Sequence, residues 1–184
     1  MGGMNAKTNL DIANEIMQSI TNIEYGFPDE DGSNIMTKDF DRWDNDFFEF
    51  YYLQTPEELQ QSKIGVCWDL VELERKLFED EGVSVSTYFI CSYNDEELPS
   101  HTILVFKSNE EYFWFEYSWG QTRGIHKYND ISSLLEDVVD KFVSFHGITE
   151  EGITKVVKYD APPSHIGCLG FYSFCKEQKT ILKK

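Results

Sequence analysis

Basic residues are scarce in this chain of 184: 16 lysines and arginines stand against 33 aspartates and glutamates, a formal charge of −17. A surface of that sign repels phosphate backbones and anionic lipid, so neither nucleic acid nor a membrane is an expected partner. Long apolar runs are missing too. Nothing approaches the roughly 20 residues of a membrane span, and the opening MGGMNAKTNLDIANEIMQSI has no charged segment leading into an apolar core. A cytoplasmic protein is the expectation. MGGM has Ala6 where N-myristoylation wants Ser or Thr, and the doubled start reads as an addition outside the fold. Cysteine is sparse, and Cys67, Cys91, Cys168 and Cys175 form no CxxC pair and no disulfide scaffold, so free thiols are expected. His165 and Cys168 have H-x-x-C spacing, but a structural zinc takes four ligands and no second pair is available. No metal is expected, and no internal repeat or low-complexity tract is present.

What is there is enough for a core: 41% of the residues are hydrophobic, which fits one domain over residues 1–184 better than two. Residues 1–55 read as helical, with Leu10, Ala13, Ile16, Met17 and Ile20 at helical spacing and Trp43, Phe47, Phe50 and Tyr51 on one face of a second helix. Between them GFPDEDGSNIMTKD has no period and reads as a loop. TPEELQQ carries an N-cap threonine and a first-turn proline, the signals of a short helix ending near Gly65. From Cys67 the positions Leu70, Val71, Leu73, Leu77 and Phe78 keep a helical period, with Glu72, Arg75, Lys76 and Glu79 mostly opposite and Gly82 as a stop. Three strands follow, VSVSTYFICSY, HTILVFKS and YFWFEYSW, joined by the short NDEELPS and NEE and so most simply antiparallel. Residues 121–184 add the GQTRGIHKY connection and a helix with Leu134, Leu135, Val138, Val139, Phe142 and Phe145 inside. The strand ITKVVKY and a short terminal helix, CLGFYSFCKEQK, complete it.

One position does not fit a packing role. Cys67 opens its helix after a glycine, where the partial positive charge of the helix terminus favours thiolate over thiol. Asp69, two residues on, would oppose that unless it points away. Nucleophilic catalysis by cysteine needs a base and a group to orient it. His101 begins the second strand, and Glu116 lies in the apolar FWFEYSW of the third. If the hairpin turns through Asn109 and Glu110, Ser108 faces Glu111 and Glu116 becomes a diagonal neighbour of His101 on one face. Such neighbours lie roughly 7 to 8 Å apart, a gap that glutamate spans better than aspartate. A three-residue loop would reverse the parity and separate them.

These blocks, GVCWDLVELERKLFEDEGV, SHTILVF and YFWFEYSW, resemble the transglutaminase-like superfamily of papain-like cysteine enzymes over about residues 56 to 120. The resemblance implies an α+β fold, with N-terminal helices and a cysteine-bearing helix packed on an antiparallel sheet. It also implies a Cys67 nucleophile, a His101 base and Glu116 where the family most often has aspartate. Gln61, six residues before Cys67, has the spacing of the papain oxyanion-hole glutamine, with Gln54, Gln60 and Trp68 as alternatives. Trp68, Trp119 and Arg123 are candidates for a substrate rim, Arg123 as an anion contact. The expected activity is acyl transfer through a thioester, most simply as a peptidase or amidase on a peptide or protein amide or ester, without a cofactor. The alternative is an inactive domain of the same fold that binds peptide or protein. Oligomeric state has no signature in the sequence.

Overall fold

A computed structural model describes residues 6–93 and 98–184; the MGGM start and the first four residues of the NDEELPS connection lie outside the described residues. The first helix, α1 (Asn9–Ser19), opens on Thr8, which forms a reciprocal capping box with Asp11, and it buries Ala13 and Ile16. The aperiodic stretch that follows contains a two-residue strand, β1 (Glu24–Tyr25), and a short helix, α2 (Ile35–Lys38), capped by the Asn34 side chain. A 3-10 turn over Phe40–Arg42 leads into α3 (Trp43–Phe50). The single aromatic face expected here is only partly formed. Trp43 stacks on Phe47 at 5.5 Å and Phe47 on Tyr51 at 4.7 Å, but Tyr51 has already left the helix and Phe50 is exposed.

Next, α4 (Pro56–Ser62) obeys its start signals, with Thr55 and Glu58 closing a capping box. Lys63, in the left-handed region, stops it, and β2 (Ile64–Gly65) pairs in parallel with β1, placing Tyr25 opposite Gly65. Two residues later α5 (Cys67–Asp80) begins. Gly65 is the residue that lets this corner close. A Cβ there would lie 2.5 Å from Leu59 Cδ1 and 3.2 Å from Asp69 Cβ. Gly65→Ala is therefore expected to cost about 1–3 kcal/mol of overpacking, several degrees of Tm by calorimetry. An unchanged Tm would mean that the corner is slack.

The main sheet is antiparallel throughout. Its strands are β3 (Val85–Ser92), β4 (Ser100–Ser108), β5 (Glu111–Glu116), β6 (Gly124–Tyr128), β7 (Thr154–Tyr159) and β8 (Thr180–Lys183), in the order β6-β5-β4-β3-β7-β8. Both edges were unforeseen: β6 arises from the GQTRGIHKY segment read as a connection, and β8 from the tail. The β4–β5 hairpin turns through Asn109 and Glu110, both with positive φ, and sets Ser108 opposite Glu111. That is the register in which His101 and Glu116 share a face. Between β6 and β7 runs α6 (Ile131–His146), and before β8 lies α7 (Cys168–Lys176).

Two apolar layers fix these parts. On one face of the sheet α1, α5 and α7 cover Phe89, Leu104, Phe106, Phe113 and Phe115. On the other, α6 covers Tyr88, Ile90, Ile103, Val105 and Trp114 through Leu134, Val138 and Phe142. Phe145, expected inside α6, is instead 54% exposed, and its ring meets Trp119 edge-on at 5.3 Å between centroids. Glu72 and Arg75, read as a solvated face, are buried and half-buried. Arg75 pairs with Glu72 at 2.9 Å and reaches Thr87 Oγ1 at 2.6 Å, tying α5 to β3. Among the described residues no helix is long and apolar enough to cross a membrane.

Candidate active site

Cys67 is 3% exposed and is the first residue of α5, directly after the extended Val66. Nothing in α5 can satisfy the first amides of the helix except a side chain reaching back, and Asp69 does so. Its Oδ2 accepts the Val66 N–H at 2.9 Å, while Oδ1 accepts the Gln54 N–H at 2.9 Å and the Tyr51 hydroxyl at 3.1 Å. Burial outweighs these donors, which pull the other way, and leaves the Asp69 carboxyl pushed up to about 7. Its oxygens are committed to the helix start and the 51–54 segment, which answers the objection that Asp69 would act against the thiol.

His101 and Glu116 form a buried pair. Nε2 of His101 lies 2.7 Å from Glu116 Oε2, and the other carboxylate oxygen accepts the Ser118 hydroxyl at 2.9 Å and the Trp119 N–H at 2.8 Å. Only 2% of Glu116 is exposed, so it is a buried carboxylate and not a surface residue of its strand. Burial alone would lower the imidazole. The Glu116 charge, then hydrogen bonds to Cys67 and Glu116, outweigh burial and push His101 up to about 10. Burial would raise Glu116, but His101 and the two donors hold it below the ordinary carboxylate range. Both shifts describe the same imidazolium–carboxylate pair. With Nε2 taken by Glu116, the Nδ1 side of the ring is left for the Cys67 thiol. Trp119 closes edge-on against the imidazole, at 5.4 Å between ring centroids.

The family model of the transglutaminase-like domain matches residues 3–130, more than two thirds of the chain. The chain belongs to the transglutaminase-like family. The matched span runs well beyond the 56–120 carried by the motifs and takes in α1 to α5 and β1 to β6. A comparison with curated proteins finds no match.

Other site expectations fare unevenly in this transglutaminase-like frame. Gln61 is exposed on α4 and lines neither cavity beside Cys67 and His101, because the helix turns it outward one residue before it stops. Gln54 is buried, but its amide donates to Ile64 O at 2.8 Å and accepts from Ser62 at 2.7 Å, holding the α4–β2 corner. Trp68 lines the cavity wall from within the core, stacked on Phe171 at 4.2 Å, and is no rim residue. Trp119 does border the site. Arg123 does not: its Nε donates to Tyr117 O at 2.7 Å and its guanidinium lies over the Tyr117 ring at 4.3 Å, so it clamps the turn that presents Trp119. His165 pairs with Glu58 at 2.9 Å, and among the described residues no cluster of His, Cys, Asp or Glu could hold a metal.

Two residues of the transglutaminase-like site escaped the sequence reading. Tyr25 is 41% exposed as a residue, yet burial of its hydroxyl, then the charge of Cys67 and a hydrogen bond to it, raise the phenol well above 10. Its position is fixed by the β1–β2 bridge, with Gly26 N–H on Gly65 O at 3.2 Å. A two-residue strand inside an aperiodic loop leaves no sequence signal. Glu74, 2% exposed, lies seven residues after Cys67 on the same face of α5. Burial, then the Glu116 charge, raise it well above the carboxylate range. Tyr25, Ser100 and His146 line two adjoining cavities, of about 350 Å³ beside His101 and about 530 Å³ beside Cys67.

Proposed function

We propose that this transglutaminase-like chain is a cysteine acyl-transfer enzyme, a peptidase or amidase working through Cys67, His101 and Glu116. The observation that carries the reading is the buried His101–Glu116 pair with its free ring edge on a thiol at a helix start. Sγ of Cys67, having passed its proton to His101, attacks an amide or ester carbonyl carbon. The oxyanion is held by the Cys67 backbone N–H and by the Tyr25 hydroxyl in place of a glutamine. His101 returns the proton to the leaving amine or alcohol as the C–N or C–O bond breaks, leaving a thioester on Cys67. It then takes a proton from water, whose oxygen attacks the thioester and frees the acid and the thiol. Glu116 holds the ring and stays ionised throughout.

Alkylation by iodoacetamide, followed cysteine by cysteine by mass spectrometry, tests the first half. Burial pushes Cys91 and Cys168 up to about 12 and Cys175 higher still, so labelling at neutral pH is expected at Cys67 alone and is expected to collapse in His101→Ala. An amide and ester panel tests the second half: Cys67→Ala should retain the fold and lose turnover. Equal labelling of all four thiols, or turnover that survives Cys67→Ala, would sink the reading. A wild type that binds peptides with the same affinity as Cys67→Ala and turns none over would instead be the inactive binding module.

A further inference from the structure

The two cavities that meet at Tyr25 differ in one chemical respect. The smaller, lined by Met36, Trp119, Phe142 and Phe145, carries no acidic side chain among the described residues. The larger, which contains Cys67, is walled by Trp43, Phe47, Phe48 and Tyr172, and among the described residues Asp44 is its one carboxylate. Asp44 is exposed. The cations of its own segment are committed elsewhere: Lys38 pairs with Asp29 and Asp31, and Arg42 with Asp29 and Asp46, leaving Asp44 out of every ion pair among the described residues. Aromatic faces beside a lone carboxylate form a recognition site for an organic cation with an apolar stem, since the rings attract the charge and cover the methylenes. The formal charge of −17 adds a long-range bias of the same sign.

We infer that the substrate is a peptide with a lysine or arginine side chain on one side of the scissile carbonyl and a bulky apolar residue on the other. The basic side chain lies in the cavity of Trp43, Asp44 and Phe48, and the apolar one in that of Met36, Trp119 and Phe145. The inference rests on Cys67 being the nucleophile, and the test separates the two ideas.

Three methanethiosulfonates, neutral (methyl), cationic (2-trimethylammonioethyl) and anionic (2-sulfonatoethyl), each transfer a thioalkyl group to a thiolate, forming a disulfide and releasing methanesulfinate. Their rates at Cys67 are measured at pH 8, at low and high salt, and divided by the rates on N-acetylcysteine amide. The expected cation-to-anion ratio exceeds that of the free thiol by about threefold or more at low salt and shrinks at high salt. It falls in Asp44→Asn and in Trp43→Leu, while the neutral reagent reacts with Asp44→Asn as with wild type. A ratio equal to that of the free thiol, or one untouched by Asp44→Asn, overturns the substrate inference and leaves the nucleophile standing. Silence of Cys67 toward the neutral reagent removes the nucleophile and the inference with it. A peptide pair differing only by lysine against glutamate beside the cleaved bond completes the test, with faster turnover of the lysine peptide expected and equal turnover overturning the inference.

Discussion

Glu116→Gln is expected to bring the His101 imidazole down from about 10 toward its ordinary value near 6.5 and to cut turnover by about two to four orders of magnitude. Glutamine keeps a hydrogen-bond acceptor near Nε2 but removes the charge that offsets burial of the imidazolium. The ring then loses its proton, and with it the acid needed by the leaving group. The pH dependence of stability follows from the two shifts. His101, raised, contributes stability that is fully present below about 6.5 and is lost as the pH climbs toward about 10. Glu116, lowered, contributes stability present above about 4.5 and lost in acid. The pair is thus strongest between about pH 4.5 and 6.5, and there the Tm gap between wild type and variant should be widest. Removing one partner of a buried pair costs about 3–5 kcal/mol, so Glu116→Ala should lower Tm on the order of 10 °C in that window. Histidine proton shifts followed by NMR give the imidazole titration directly. A His101 that still titrates near 10 in Glu116→Gln, or a Tm gap that is flat with pH, would show that the pair does not control the ring. Glu116→Asp is expected to lie between the two, since the shorter side chain falls one methylene short across a diagonal pair.

The elements that made this pair readable were those with strong local rules. Asn109 and Glu110 form a two-residue turn, and turn length alone fixes which β4 and β5 residues share a face; the parity argument therefore carried His101 to Glu116 without coordinates. The capping signals at Thr55 and the periodicity after Cys67 likewise located the starts of α4 and α5, although α4 stops at Ser62, three residues short of the Gly65 expected. What failed was decided by packing at a distance. Gln61 has a suggestive spacing, yet the outward turn of α4 depends on Leu59 packing beneath Gly65, a contact that spacing cannot express. Tyr25 reaches Cys67 only because two residues of β1 pair with two of β2 across nearly forty residues of chain. β6 looked like a connection because none of its residues is fully buried at the sheet edge and its sequence carries no apolar alternation. Arg123 was judged by its charge, whereas its neighbours show a packing role over Tyr117.

Glu74 leads to the last expectation, a variant more stable than the wild type. It lies on the inner face of α5 with Oε2 unpartnered among the described residues, and its neighbours include Glu116, Cys67 and Glu72 as like charges and His101 as the opposing one. Burial, then the Glu116 charge, favour its protonated form. A raised carboxyl contributes its full stability only below its ordinary value near 4.5, and that contribution drains away as the pH rises through the folded-state value. Two substitutions separate the causes. Glu74→Gln cannot ionise but still buries an amide, so its advantage should be absent near pH 4 and grow steadily toward pH 9. Glu74→Leu also removes the unpartnered polar group, which adds a gain independent of pH of about 1–3 kcal/mol, or several degrees of Tm. A Leu variant less stable than wild type at pH 8 would mean that the acid is structurally bonded and would refute this account. Turnover decides what the acid is for. If Glu74→Leu gains stability and keeps its activity, the buried proton is only a burden on the fold. If it gains stability and its rate profile moves with pH, the field of Glu74 acts on the His101–Glu116 pair, and the instability is what the site requires.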